Sequence, residues 1–322
     1  MTHKTSHSPA PDGRVADATD ANWVDRFAPA RARPYLRLSR ADRPAGTWLL
    51  LLPCWWGLML AAAADPAGLR AEDAWIFAVC AVGAFLMRGA GCTWNDVTDR
   101  HIDGSVARTR SRPIPSGQVG VRGALIWTVA QTLLAFGLLL TLDVAAIWLG
   151  VISLAPVCIY PFMKRVTWWP QVFLGIAFNW GVLLAWAAHA GALSLSPVLL
   201  YLAGMAWTIF YDTIYACQDK EDDALIGVKS TARLFGAAAR ARLLPWLLTT
   251  GALAAAAALM ALGDDPLALG LALAGVAGFA GRLAWQWRRL DIEDAQGCLI
   301  LFRDNRNAGL ILFAGLAAAA LV

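Results

Sequence analysis

The chain alternates long apolar stretches with short polar segments, and nine of the stretches reach the roughly 18 residues a helix needs to cross a bilayer. They lie near residues 46–64, 74–94, 123–142, 144–161, 171–188, 197–216, 243–262, 266–286 and 307–322. Asp143 alone divides the third from the fourth, and the last is short, so the pattern also accommodates eight or ten. Each short polar segment marks a change of side.

Composition agrees with this pattern. Hydrophobic residues make up 58% of the chain and charged residues 16%, and the mean hydropathy is +0.53, which suits an integral membrane protein and not a soluble domain. Lys and Arg then set the orientation. Lys4, Arg14, Arg26, Arg31, Arg33, Arg37, Arg40 and Arg43 precede the first stretch. Others follow the second, fourth, sixth and eighth, so all but three of the 27 basic residues fall on one side. Of those three, Arg70 shares the opposite side with Asp65, Glu72, Asp73, Asp143, Asp264 and Asp265, and Arg88 and Arg282 lie near inner ends of stretches. The positive-inside rule makes the N-terminus cytoplasmic, and the expected location is the inner membrane of a bacterium. The net charge of +4 is thus a topology signal and predicts no nucleic-acid partner. Residues 1–38 lack the apolar core of a signal peptide, and Asp12, Asp17, Asp20 and Asp25 do not suit a transit peptide. They read as a disordered cytoplasmic extension before one membrane domain over residues 39–322.

Two acidic runs break the apolar pattern on the cytoplasmic side: Asn95-Asp96-Val97-Thr98-Asp99-Arg100-His101-Ile102-Asp103, and Asp219-Lys220-Glu221-Asp222-Asp223. Carboxylates at a membrane boundary are costly to hold there and mark function. At about 100° per residue, Asn95, Asp96, Asp99 and Asp103 share one helical face with Arg88, and Asp212, Tyr215, Asp219, Asp222 and Asp223 share another. Two such stripes of hard oxygen donors, facing each other, suit magnesium bridging to a diphosphate. A solvated loop is the alternative for one isolated run; the continuation of both stripes toward the membrane, through Arg88 and Asp212, argues against it.

Basic residues complement the carboxylates. The loop from Asp103 to Gly117, broken by Pro and Gly, carries Arg108 and Arg112, whose guanidinium groups match phosphate oxygens. At the end of the fourth stretch, Tyr160 and Lys164 stand one helical turn apart in Tyr160-Pro161-Phe162-Met163-Lys164-Arg165, with Pro161 a candidate kink. Lys164 can hold a leaving diphosphate while Tyr160 faces an allylic cation; a simple membrane anchor is the competing reading. Cys54, Cys80, Cys92, Cys158, Cys217 and Cys298 show no zinc or redox spacing and read as packing residues. His3, His7, His101 and His189 are scattered, and the tryptophans, among them Trp23, Trp48, Trp75, Trp168 and Trp169, read as interface anchors. Trp180 is a candidate cavity-lining residue.

The first acidic run, Asn95-Asp96-x-x-Asp99-x-x-x-Asp103, resembles the first aspartate motif of the UbiA-type intramembrane prenyltransferases. The second, Tyr211-Asp212-Thr213-Ile214-Tyr215-Ala216-Cys217-Gln218-Asp219-Lys220-Glu221-Asp222-Asp223 followed by Gly227-Val228-Lys229-Ser230-Thr231, resembles the branch of that family acting on 4-hydroxybenzoate. Asp42-Arg43-Pro44, Gly46-Thr47, Pro170-Gln171, Gly175 and Phe302-Arg303-x-Asn305-Arg306 extend the likeness over roughly residues 35–315. The fold so implied is all-α: nine transmembrane helices around a central cavity, as two parallel four-helix pseudo-repeats plus a ninth helix. The reaction implied is transfer of a polyprenyl group from polyprenyl diphosphate to the ring carbon ortho to the hydroxyl of 4-hydroxybenzoate, with release of diphosphate. Magnesium would be held by Asn95, Asp96, Asp99, Asp103, Asp219 and Asp223, assisted by Arg108, Arg112 and Lys164, with membrane lipid excluding water. Arg43 and Arg165 are candidates for the benzoate carboxylate, and Asp212 for orienting a basic residue or for deprotonation. The alternatives are another aromatic acceptor, or an ion-coupled transporter. The latter predicts Gly or Pro breaks at matching positions of two helices, and no such pair stands out.

Overall fold

An apolar segment in hydrocarbon has no water to satisfy its backbone, so it must close its hydrogen bonds internally, as a helix does. The structure, a computed structural model describing residues 13–15, 18–19, 21–104 and 109–322, shows this outcome throughout: its regular elements are helices, with no strand among the described residues. Among the described residues nine are long: α1 (Ala45–Ala64), α2 (Ala71–Asp103), α3 (Val121–Leu139), α4 (Val144–Val166), α5 (Pro170–Ala190), α6 (Leu195–Ala216), α7 (Ala239–Leu262), α8 (Pro266–Arg289) and α9 (Ala295–Ala319). Segments α1 to α8 are each long and apolar enough to cross a membrane.

Three boundaries differ from the hydropathy pattern for identifiable reasons. Helix α2 continues through the first acidic run to Asp103, and its 33 residues span about 50 Å at about 1.5 Å per residue, beyond the roughly 30 Å hydrocarbon core. Helix α9 begins at Ala295, not near residue 307, because its polar residues are matched: Asp304 accepts from Arg282 Nε at 2.8 Å and from Gln286 at 2.9 Å. Asp143 does not simply divide two spans; it caps α4 by accepting from Ala145 N at 2.8 Å.

The chain divides into two compact units, Met1–Gly46 with Leu86–Ala135, and Thr47–Phe85 with Phe136–Val322. In the first, Leu38, Val97, Val119 and Ala124 form a small core. Ser39 Oγ donates to Gln131 Oε1 at 2.9 Å and accepts from Trp127 Nε1 at 2.8 Å. The extension expected to be disordered through residue 38 is folded over residues 21–38, while residues 1–12 lie outside the described residues. Two short helices form there, Trp23–Phe27 and Arg33–Leu38, and buried Arg37 donates to Asp25 Oδ1 and to Gly13 O, both at 2.8 Å. Composition counts these as exposed charges because it cannot see that they pair.

The second unit is built around Trp56, Trp207, Tyr211 and Phe279, all buried, with Trp56 and Trp207 centroids 4.9 Å apart. Their ring N–H groups are satisfied, Trp56 by Gly309 O at 2.9 Å and Trp207 by Asn305 Oδ1 at 2.8 Å, as burial away from water requires. Helices α8 and α9 touch backbone to backbone at Gly275 and Gly315. Helix α4 turns Trp148, Val151, Ile152 and Ile159 outward, an apolar surface suited to lipid. Trp180 donates to Leu149 O at 2.8 Å and stacks edge-on to Tyr201.

Candidate functional site

In the first unit, the last turns of α2 carry the first acidic run as one continuous helical stripe. Asp96, Asp99 and Asp103 are 0%, 1% and 5% exposed, so these carboxylates are not solvated loop residues. Arg40 meets Asp96 with both terminal nitrogens, Nη2 to Oδ1 at 2.6 Å and Nη1 to Oδ2 at 3.0 Å. Arg112 Nη1 donates to Asp96 Oδ1 at 3.2 Å and to Asp103 Oδ2 at 2.8 Å. The basic loop thus folds back on the stripe, fixed by Thr109 Oγ1 to Asp103 O at 2.8 Å and Val119 N to Pro113 O at 3.0 Å. Arg108 lies outside the described residues.

Arg43 Nε stands 3.6 Å from the buried Asp42 carboxylate. Burial pushes the Asp42 carboxyl up to about 6, against the opposing charge of Arg40. Arg88 packs its guanidinium over Gly46, where a Cβ would stand 2.5 Å from Nη2 unless that side chain shifted.

In the second unit, α6 gives way to a 3-10 turn at Cys217–Asp219 and a short helix at Lys220–Leu225. The continuous-helix wheel therefore holds for Asp212 and Tyr215 but not for Asp219, Asp222 and Asp223. Asp212, Asp219 and Asp223 are half-buried. Neighbouring segments fix this run: Thr213 and Thr231 hydroxyls are 2.5 Å apart, and Thr231 N donates to Gln171 Oε1 at 3.2 Å. Val228 N donates to Asp223 O and Lys229 N to Lys164 O, both at 2.9 Å, so the loop after the second run is tied to the end of α4. Helix α4 itself runs unbroken past Pro161 to Val166, which keeps Tyr160 and Lys164 one turn apart on one face. Arg165 is exposed, its guanidinium 5.9 Å over Phe162.

Sequence reasoning missed Arg40, which it counted only as a tail charge, and Arg233. Arg233 Nη1 donates to Asp223 O at 3.2 Å and to Val228 O, and the guanidinium lies 5.3 Å over Trp168, so this tryptophan packs against a cation. The cysteines pack as small residues against backbone carbonyls: Cys217 Sγ donates to Thr213 O and Cys298 Sγ to Asp291 O, both at 3.3 Å.

Among the described residues no three His, Cys, Asp or Glu side chains converge on one metal position. The donor chemistry nevertheless suits a hard cation. Asn95 Oδ1 is buried with no hydrogen-bond partner among the described residues, and Asp99 follows one turn later on the same helix. Asp96 differs, since both of its oxygens already accept from guanidinium groups.

The profile of the UbiA prenyltransferase family matches residues 50–319. A curated mitochondrial 4-hydroxybenzoate polyprenyltransferase of Rattus norvegicus is 46% identical over 305 residues, covering 94% of this chain and 79% of its own. Its Homo sapiens counterpart is 44% identical over 310 residues, covering 96% and 81%. Among solved structures, an apo UbiA homologue from Aeropyrum pernix K1 superposes with a TM-score of 0.63 at 26% identity, covering 84% of this chain and 97% of that one. A UbiA homologue from Archaeoglobus fulgidus bound to GPP and Mg2+ gives 0.65 at 19% identity, covering 90% and 100%.

Proposed function

The chain belongs to the UbiA prenyltransferase family, and from that premise we propose that it is a magnesium-dependent 4-hydroxybenzoate polyprenyltransferase. The observation that carries this reading is the buried carboxylate stripe on α2 with a basic loop folded onto it, in a chain whose curated relatives of about 45% identity are named for that activity. Polyprenyl diphosphate is the donor, and the polyprenyl group passes to the ring carbon ortho to the phenol of 4-hydroxybenzoate, a step of ubiquinone biosynthesis.

Each unit offers its own oxygen donors for magnesium: Asn95, Asp99 and Asp103 in the first, Asp219 and Asp223 in the second. When bound, magnesium neutralises the departing diphosphate. Arg112 and Lys164 each take a phosphate oxygen, Arg112 through its planar fork and Lys164 as a point charge. Tyr160, one turn before Lys164, presents its ring to the allylic cation. The apolar helices keep water from that cation. Arg43 or Arg165 receives the benzoate carboxylate, and Asp212 orients a neighbouring cation or takes the ring proton. The charge asymmetry supports an orientation with both acidic runs on the cytoplasmic side of the membrane, and the curated relatives named above are mitochondrial.

The test is prenylation of labelled 4-hydroxybenzoate by membranes carrying this chain, supplied with polyprenyl diphosphates of several lengths, with magnesium and then with chelator. Magnesium-dependent label in a lipid-soluble product supports the proposal. No product at any donor length removes this acceptor.

A further inference from the structure

Helix Arg33–Leu38 ends at Ser39, and the next residue, Arg40, has φ of +59°. That left-handed position after a helix is normally given to glycine, because a Cβ there crowds the backbone. Two backbone bonds close the turn, Arg40 N to Arg37 O at 3.1 Å and Ala41 N to Leu36 O at 3.0 Å. The conformation aims the Arg40 side chain inward, where it is buried and makes a paired contact with Asp96, 56 residues away in sequence. Strain maintained for one buried contact points to a role for that contact.

The contact is the first link of a row of alternating charges: Arg40, Asp96, Arg112, Asp103. Asp96 Oδ1 accepts from both arginines, Oδ2 accepts from Arg40, and Arg112 Nη1 is shared between Asp96 and Asp103. A divalent cation brought to Asp96 would stand within a few ångströms of two guanidinium charges, which repel it. Arg112, by contrast, keeps its buried Nε without a hydrogen-bond partner among the described residues, a donor available to an incoming anion.

Building on the reading that Arg112 takes a phosphate oxygen, we propose that Arg40 and Asp96 are positioning residues: Arg40 fixes Asp96, and Asp96 holds Arg112 toward the diphosphate, without either one ligating metal. Asp96 thereby separates from Asn95, Asp99 and Asp103, although it lies in the same acidic run. Two carboxylates hold Arg112 at the face of α2, Asp103 at 2.8 Å and Asp96 at 3.2 Å; Asp96 is the one anchored by Arg40, and the pair leaves Arg112 with donors to spare.

Steady-state kinetics with magnesium as the varied component tests this. In Asp96→Asn and Arg40→Met, the KM for polyprenyl diphosphate should rise about tenfold or more, with the half-saturating magnesium concentration and the KM for 4-hydroxybenzoate unchanged. Asp99→Asn serves as the comparison, since loss of a metal ligand raises the magnesium requirement or abolishes turnover. If Arg40→Met fails to accumulate in membranes, Arg40→Lys keeps the charge without the paired contact and should show a smaller rise in the same KM. A marked increase in the magnesium requirement of Asp96→Asn, with the diphosphate KM unmoved, overturns the proposal. A wild-type chain that prenylates no acceptor would instead count against the function from which it starts.

Discussion

His189 lies 2.7 Å from Asp73, ring Nδ1 to carboxylate Oδ1, at the end of the second unit that carries few basic residues. The other ring nitrogen is 3.2 Å from Asp65, and Arg70 donates to His189 O at 3.1 Å and pairs with Asp65. This cluster ties the end of α5 to the turn between α1 and α2, and it holds the one basic residue whose placement runs against the charge asymmetry. Replacing His189 by Leu leaves the buried Asp73 carboxylate without its ring partner and should cost about 3 kcal/mol. Thermal unfolding in detergent should show a lower Tm, with prenyl transfer at low temperature retained. An unchanged Tm would mean that the cluster holds nothing together.

Asp42 makes stability depend on pH in a direction opposite to that of a salt-bridged carboxylate. Its ordinary pKa of 3.8 is pushed up to about 6 by burial, with Arg40 and Arg37 opposing the rise and Asp25 adding to it; Arg43 Nε lies 3.6 Å away. Between these values the folded chain holds a proton that the unfolded chain has released. Stability from this group is therefore full below about pH 4, falls through pH 4 to 6, and stays lower above. At about 1.4 kcal/mol per pH unit the whole effect is about 3 kcal/mol. Asp42→Asn should flatten the Tm profile between pH 4 and 6 and raise Tm at pH 7.5. A variant with the wild-type profile would assign the pH dependence elsewhere.

Hydropathy and charge sufficed for the helical class, eight of the long helices and the acidic stripe on α2, because each rests on residues close in sequence. What they could not supply rests on distant partners. The start of α9 was hidden by Arg303, Asp304 and Arg306, which read as a break until Arg282 and Gln286 are seen to meet Asp304. Arg40 looked like one of eight tail cations because nothing near it in sequence announces a partner 56 residues on. The stripe after α6 was over-extended, since no local pattern signalled that the helix tightens into a 3-10 turn at Cys217.

Asp99 and Asp219 provide the direct test of the metal reading. Each is placed by its own unit, Asp99 buried on α2 and Asp219 half-buried at the end of the 3-10 turn. Asp99→Asn and Asp219→Asn should each lower kcat by about 100-fold or more while the chain still inserts and keeps its far-UV circular dichroism. Retained turnover in both would sink the assignment of these carboxylates to magnesium.

Arg165 is exposed at the end of α4, with its guanidinium 5.9 Å over the Phe162 ring. If it receives the benzoate carboxylate, Arg165→Ala should raise the KM for 4-hydroxybenzoate about tenfold and leave the donor KM in place. An effect confined to the donor would move Arg165 to the diphosphate.

Helices α8 and α9 approach so closely at Gly275 that a Cβ there would stand 2.7 Å from Gly315 Cα, a backbone atom that cannot rotate away. One turn on, a Cβ at Gly278 would also stand 2.7 Å from its neighbour, but that neighbour is the Cγ2 methyl of Ile311, a side-chain atom of a residue 37% exposed, which can be displaced toward the open side without moving the partner backbone. The same distance should therefore have unequal consequences. Gly275→Ala forces the helices apart and should cost about 2 kcal/mol, whereas Gly278→Ala should cost under about 1 kcal/mol or gain slightly from improved helix propensity. Thermal unfolding of the two variants in the same detergent measures the difference directly. Equal losses would show that side-chain packing, and not backbone contact, sets the spacing of this helix pair.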